Sequence, residues 1–336
     1  MLGKPLRQAI LCSILATTFW WAGGNRPVSA DWELSFGKGK GQVGFLNGTV
    51  QKPFEEAAPL GPMAFRIYKG QAWVLDSLGG RVLCLDSAGR LLAMLQIAGL
   101  PRNSLLEDLA LVSGPSGRIE SVWVGDGADG KLRRVRVSDG RILCVVGARG
   151  NTPAAFQQIQ QIEAGLGGAL FVGDFGRAVI ACFDGEGRFL REIPWSRSGF
   201  SIDSEGGIST IDYSENIGYI WRGYDSNGTL RKAVHLGFGD FQNPRLWVST
   251  ASGGILVSFV PQGGYRGSLR LVEFSRFGQL LNSIHFSPPT AMNRFLDFGE
   301  PSAPGKTTAF WLARGDFDRA PAGRFSIIRF SGEERR

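Results

Sequence analysis

The chain is poor in the residues that most metal and redox chemistry uses. Among its 336 residues are two histidines, His235 and His285, and four cysteines, Cys12, Cys84, Cys144 and Cys182. Two histidines falling in different segments cannot supply a three-ligand catalytic zinc site. There is no Cys-x-x-Cys pair and no Gly-x-Ser-x-Gly elbow. The Gly-Lys-Thr at residues 305–307 lacks the earlier glycine at phosphate-loop spacing, and strand-like sequence follows it instead of a helix. Gly125 to Lys131, "GDGADGK", lacks the alternating acids and distal Glu of a calcium loop, so it reads as a long turn. Long helical periodicity is absent. No basic stripe interleaves with aromatics, which argues against nucleic acid as a partner.

Only one long apolar run exists, Ala9 to Gly24, with Lys4 and Arg7 before it and "NRPVSA" after it. At about sixteen residues it is shorter than the roughly 20 that a membrane-spanning helix needs. Residues 1–30 therefore read as a signal peptide cleaved after Ala30, with an uncleaved anchor as the alternative. The expectation is an exported protein, periplasmic or extracellular, with no stable membrane insertion after cleavage. Removing Lys4, Arg7 and Arg26 lowers the net charge from +7 to +4. Cys84, Cys144 and Cys182 remain after cleavage, and each is expected to be a free thiol. Cys84 and Cys182 stand at equivalent points of non-adjacent repeats, beyond disulfide reach.

What the chain does have is glycine and aromatic residues: 48 Gly, 23 Phe and nine Trp. Short apolar runs alternate with turns rich in Gly, Asp, Ser and Asn, a nearly all-β pattern. "LDSAGRLL", "VSDGRIL", "FDGEGRFL", "YDSNGTL", "FSRFGQLL" and a truncated "FSGEE" are copies of one turn. Their glycines, Gly89, Gly140, Gly187, Gly228, Gly278 and Gly332, are 51, 47, 41, 50 and 54 residues apart. Before each turn stands a second strand ("QAWVLD", "SVWVGD", "ALFVGD", "GISTID", "GILVSF", "TAFWLA"), and before that a short apolar one. Four strands per repeat, with central strands apolar on both faces, imply sheets sandwiched between neighbours. The predicted fold is an all-β, six-bladed β-propeller of four-stranded antiparallel blades. Its repeats run approximately over 61–100, 105–150, 156–195, 199–238, 243–287 and 294–336, within a single domain 31–336. The sixth copy has no residues left for its outer strand. "DWELSFG", Asp31 to Gly37, alternates at strand period and is expected to complete that blade, with "QVGFL" as the other candidate.

Gly199 to Asp212, "GFSIDSEGGISTID", resembles the NHL repeat: an apolar strand, an Asp, a Gly turn and an aliphatic strand ending in Asp. The linkers "GFLNGTVQKPFEEAAPLGP" and "GARGNTPAAFQQ" share the resemblance, which weakens in repeats five and six, where Phe259 and Arg314 replace the turn Asp. The resemblance implies a six-bladed propeller that binds partners through one face. A more distant similarity to NHL-like amidating lyases fails at their histidine metal ligands, which have no counterpart here.

Asp76, Asp126, Asp174 and Asp212 recur at one repeat position and are expected to be turn acceptors, with Arg81 and Arg177 pairing to them. The inner segments diverge instead, placing Arg66, Glu107, Asp108, Glu163, Arg245 and Asp297 around the axis. They are candidates for a small polar ligand or for ordered water. Trp195 and Arg197 in the loop "PWSRSGF" are the second candidate surface, with Trp195 expected to be free for binding. Two functions follow. The first is a non-catalytic, monomeric binding or scaffold module for a protein or small polar ligand, needing no cofactor. The alternative is a calcium-dependent hydrolase or lactonase, similar to gluconolactonase-like propellers, with Glu107, Glu163 and Asp297 as metal ligands. An Arg–carboxylate network on the axis favours the first; two carboxylates converging without an Arg between them favour the second.

Overall fold

The recurring glycines end strands for a conformational reason. Gly89, Gly140, Gly187, Gly228 and Gly278 have φ of +77°, +70°, +82°, +82° and +78°, a region that residues with a Cβ rarely enter. In the copies at Asp86, Asp184 and Asp225, one carboxylate oxygen accepts the N–H groups two and four residues on; the Ser275 hydroxyl does the same in the fifth copy. The turn is thus closed by its own side chain, without need of a tertiary contact.

The computed structural model describes residues 31–46, 60–237, 241–261, 269–286, 292–299, 309–319 and 321–330. The apolar leader 1–30, the Gly-Lys-Thr run and Gly332 lie outside these residues. Strand β1 (Trp32–Ser35) comes first. Blade 1 follows with β2 (Ala64–Tyr68), β3 (Gln71–Asp76), β4 (Arg81–Leu85) and β5 (Leu91–Gln96). Blade 2 holds β6 (Leu106–Ser113), β7 (Ile119–Asp126), β8 (Lys131–Arg136) and β9 (Ile142–Val146). Blade 3 holds β10 (Ile159–Ala164), β11 (Leu170–Asp174), β12 (Val179–Phe183) and β13 (Phe189–Pro194). Blade 4 holds β14 (Phe200–Ile202), β15 (Ile208–Ser214), β16 (Gly218–Tyr224) and β17 (Leu230–His235). Blade 5 holds β18 (Phe241–Ser249), β19 (Ile255–Pro261), β20 (Leu269–Phe274) and β21 (Leu280–Phe286). Blade 6 holds β22 (Leu296–Asp297), β23 (Phe310–Gly315) and β24 (Arg324–Phe330). Every blade is an antiparallel four-stranded sheet, and the sixth reads β1-β24-β23-β22. Trp32 pairs with Ile327 and Ser35 with Arg324, so the N-terminal strand completes the last blade.

The cores lie between blades. Six buried clusters form, one at each junction of neighbouring blades. The cluster that closes the ring brings Trp32, Leu34, Phe325 and Ile327 of blade 6 against Phe65, Val74 and Leu83 of blade 1. Burial falls outward: β4 is buried at all five positions, whereas β5 and β9 alternate between partly exposed and exposed up to one buried residue each, Leu95 and Val146. Both histidines lie in outer strands, β17 and β21, as the repeat assignment requires. Among the described residues no helix is long and apolar enough to cross a membrane.

Three of the four repeated acids, Asp76, Asp126 and Asp174, behave as turn acceptors; Asp212 instead pairs with Arg222 at 2.6 Å. Asp76 receives the N–H groups of Gly44 and Gly79 and the Arg81 Nε, and Asp174 receives four backbone N–H groups, of Gln157, Gln158, Gly176 and Arg177. Arg81 pairs with its Asp at 2.7 Å. Arg177 does not: its guanidinium forks onto Glu192 of the outer strand at 2.6 and 2.8 Å. Four backbone donors already occupy Asp174, and an Arg side chain reaches the next strand more easily than it folds back.

Candidate functional site

Six inner strands converge on the propeller axis, and the axis is closed by charge. Asp108, with no exposed surface, is the centre. The Arg66 guanidinium meets its two oxygens at 3.1 and 3.3 Å and also donates to the Ile162 carbonyl at 3.0 Å. The N–H groups of Leu109 and Ile162 complete the carboxylate's shell at 2.9 Å each. Blades 1, 2 and 3 are thereby tied through one carboxylate. Burial works to raise the Asp108 pKa, but the Arg66 and Arg294 guanidiniums with the Ile162 N–H hold it below the ordinary range.

Asn293 and Arg294, just before β22, cross the axis and seal this ring from the sixth blade. The Arg294 backbone N–H donates to Met63 O at 2.8 Å, while its side chain, 3% exposed, lies 3.5 Å from Asp108 and pairs with Glu163. Burial opposes the charged form of Arg294, yet Glu163 and Asp108 outweigh it and raise the pKa. The Asn293 amide donates to the carbonyls of Glu107, at 3.0 Å, and Gln160, and its own carbonyl accepts from Arg245 Nη1 at 2.5 Å. Gln161 holds Glu163 from the other side at 2.9 Å and reaches Phe200 O at 2.6 Å. Asn293 and Arg294 are not among the sequence candidates: they precede a two-residue strand in a repeat where the resemblance weakens, with no turn signature to fix their place.

The sequence-derived candidates divide as follows. Arg66, Asp108 and Glu163 join one network, which Arg294 completes. Asp297 stands at its edge and accepts the Ile67 N–H at 2.6 Å. Burial raises the Asp297 pKa against the pull of Arg66 and Arg294. Arg245 donates to Asn293 and stacks 4.4 Å over the Trp247 ring. Burial, with Arg294 and Arg66 nearby, pushes its pKa down to about 9 against the attraction of Asp108 and Glu163. Glu107 is set apart. The β6–β7 register shifts between Leu106 and Asp108, which turns Glu107 out of the ladder. Its carboxyl lies where a Cβ on Gly127 would come within 2.7 Å of it. Burial and then the neighbouring Asp108 and Asp126 push its pKa up to about 7.

Glu107, Glu163 and Asp297 are therefore not brought together as metal ligands. Among the described residues no group of three or more His, Cys, Asp or Glu side chains has metal-holding geometry. Trp195 is a correction as well. It is 3% exposed, its indole N–H donates to Gly199 O at 3.1 Å, and its ring stands edge-on to Phe200 at 5.9 Å. It is core between blades 3 and 4, because an indole this close to an inter-blade seam buries more apolar area inside than in a loop. Arg197 does stay at the surface, at φ +67°, with Nε donating to Phe175 O at 2.6 Å and its guanidinium 5.3 Å over the Phe175 ring.

No protein-family model matches the chain, and no curated protein matches it. Solved structures do. The chain is similar to a streptogramin B lyase at TM-score 0.51 and 11% identity, over 85% of this chain and 97% of that one. It is similar to a calcium-binding protein, regucalcin, from Agrobacterium tumefaciens at TM-score 0.51 and 15% identity, over 81% and 92%. A luciferin-regenerating enzyme matches at TM-score 0.50 and 12% identity, over 81% and 91%. These neighbours share the six-bladed propeller architecture. At such identities the fold is what the similarity shows.

Proposed function

We propose that the chain is an exported, monomeric, non-catalytic β-propeller of NHL type that binds a partner molecule at one face. One observation carries this reading: the acids nearest the axis are saturated from within. Asp108 has two arginines and two backbone donors, and Glu163 has Arg294 and Gln161. A propeller hydrolase keeps such acids available for a cation, whereas here guanidiniums already stand where a cation would. The NHL-like stretch 199–212 and the apolar leader support the partner-binding and export parts of the reading.

A thermal melt with calcium and then with chelator tests it. A cation bound only by the native state stabilises it by about 2.7 kcal/mol at a hundredfold excess over Kd, several degrees of midpoint. The expected result is no shift. A shift of several degrees that Glu107→Gln abolishes, accompanied by calcium-dependent hydrolysis of a lactone, would overturn the binding-module reading.

A further inference from the structure

We infer that Arg245, lying on the Trp247 ring beside the axial network, is the receiving group for a small carboxylate ligand. The inference rests on the binding-module reading and names the chemistry of what is bound.

The three axial guanidiniums are not equivalent. Arg66 is matched by Asp108, and Arg294 by Asp108 and Glu163. For Arg245 the described residues supply no carboxylate within ion-pair distance. Its hydrogen bond goes to a neutral carbonyl, that of Asn293, and its Nη2 is buried with no acceptor. A guanidinium is planar and always ready to donate in pairs, so an unused edge is a binding edge of defined shape. An unpaired buried charge is unfavourable, and a bound anion removes that penalty. The depressed pKa of Arg245, caused by burial and by Arg294 and Arg66, is the same deficit seen as proton affinity.

Position makes the edge usable. Arg245 is half-buried as a residue, and its Nη2 is buried. Arginine ordinarily keeps its head in water and buries its stem. Here the head is tucked against Asn293 and the indole, and a turn of the guanidinium over the ring, itself part of the proposal, presents the unused edge while the Trp247 contact is kept. Trp247 is itself fixed by an indole N–H bond to Ser258 Oγ at 2.7 Å, and it lies 4.4 Å beneath the guanidinium. The indole holds the fork in plane and offers an apolar surface to the ligand's carbon end. A carboxylate matches the fork with two parallel N–H···O bonds. Tetrahedral phosphate would bring a second negative charge toward Asp108, Glu163 and Asp297, which favours the singly charged carboxylate.

The test uses the full chain with sodium acetate as the probe and sodium chloride at equal ionic strength as reference. Acetate is expected to raise the wild-type melting midpoint by several degrees over chloride and to move the Trp247 indole N–H resonance. Arg245→Met should lose both responses. Arg245→Lys, which keeps the charge without the fork, should retain less than half of the shift and covers the case in which Arg245→Met does not fold. No acetate-specific response in the wild type, or an equal one in Arg245→Met, overturns the inference. A larger response to sodium phosphate than to acetate overturns the carboxylate assignment. Calcium-dependent lactone hydrolysis bears on the binding-module reading and the acetate titration on Arg245, so each can fail alone.

Discussion

Glu107 and Asp108 are adjacent in sequence and opposite in electrostatic setting. Asp108 faces two guanidiniums and is held ionised; Glu107 faces two acids and no cation, and its pKa rises from 4.5 to about 7. The consequence for stability has a definite sign. Between 4.5 and 7 the folded chain binds a proton at Glu107 that the unfolded chain has released, so this group's contribution falls as pH rises through that window. The loss by pH 8 is at most about 3 kcal/mol, and less because Glu107 is only half-buried. Glu107→Gln, which keeps the shape without the charge, should raise the melting midpoint above neutrality and leave it nearly unchanged at pH 4, measured by circular dichroism against wild type. A rise of equal size at both pH values would sink this account. Which axial residues touch one another was only partly legible. The charges on inner strands could be found by asking which repeat positions diverge, and Arg66, Asp108 and Glu163 came from that. Their pairing could not, because it depends on Asn293 and Arg294, at the very start of a repeat whose inner strand is only two residues long. Trp195 misled for a related reason: a residue absent from the repeat looks free, although the seam between two blades can bury it.

At the scale of strands and turns the sequence was most readable, since each element repeats its own cause. A glycine at positive φ and an apolar central pair recur five times within the described residues, and in three of these copies an Asp closes the turn, in the fifth a Ser. A sixth, weaker copy in the same frame then follows from the spacing. The cysteines illustrate how the frame assigns a role. Cys84 and Cys182 sit on the third strands of blades 1 and 3, opposite Trp73 and Phe171 in the ladder. Burial pushes their thiols up to about 12 and about 11, leaving almost no thiolate near neutrality. Cys144, on an outer strand, is raised by burial to a lesser extent and is half-exposed. A thiol reagent such as iodoacetamide should therefore modify Cys144 first in the native chain, with Cys84 and Cys182 reacting only on denaturation. Equal native rates for all three, read by peptide mass, would contradict the buried placement. The failure at Arg177 belongs to this scale too. A repeated Asp–Arg spacing predicts one pairing, but a carboxylate already filled by backbone donors sends the next Arg elsewhere.

The whole molecule depends on a four-residue strand. β1 supplies the outer strand of blade 6, and through Leu34 and Trp32 it fills the cluster that joins the last blade to the first. Leu34→Asp buries an unpaired charge there and should cost about 4 kcal/mol or more. Glu33→Ala, one residue away on the exposed side, should change stability by less than about 0.5 kcal/mol. Urea midpoints of the two variants check the contrast; similar values would mean that the ring does not need β1. The same pairing has a temporal side. Trp32 is among the first described residues to leave the ribosome, and its partner Ile327 is among the last, 295 positions later. Translation proceeds from the N-terminus at about 5–20 residues per second. During most of synthesis, a strand with apolar Trp32, Leu34 and Phe36 has no native partner in existence. Blades 1 to 5 can form while the chain grows, because their strands are local hairpins. Blade 6 cannot. Its seam waits for β24, so the growing chain carries an unmatched apolar strand until Ile327 has been made, and a chaperone has that interval in which to hold it.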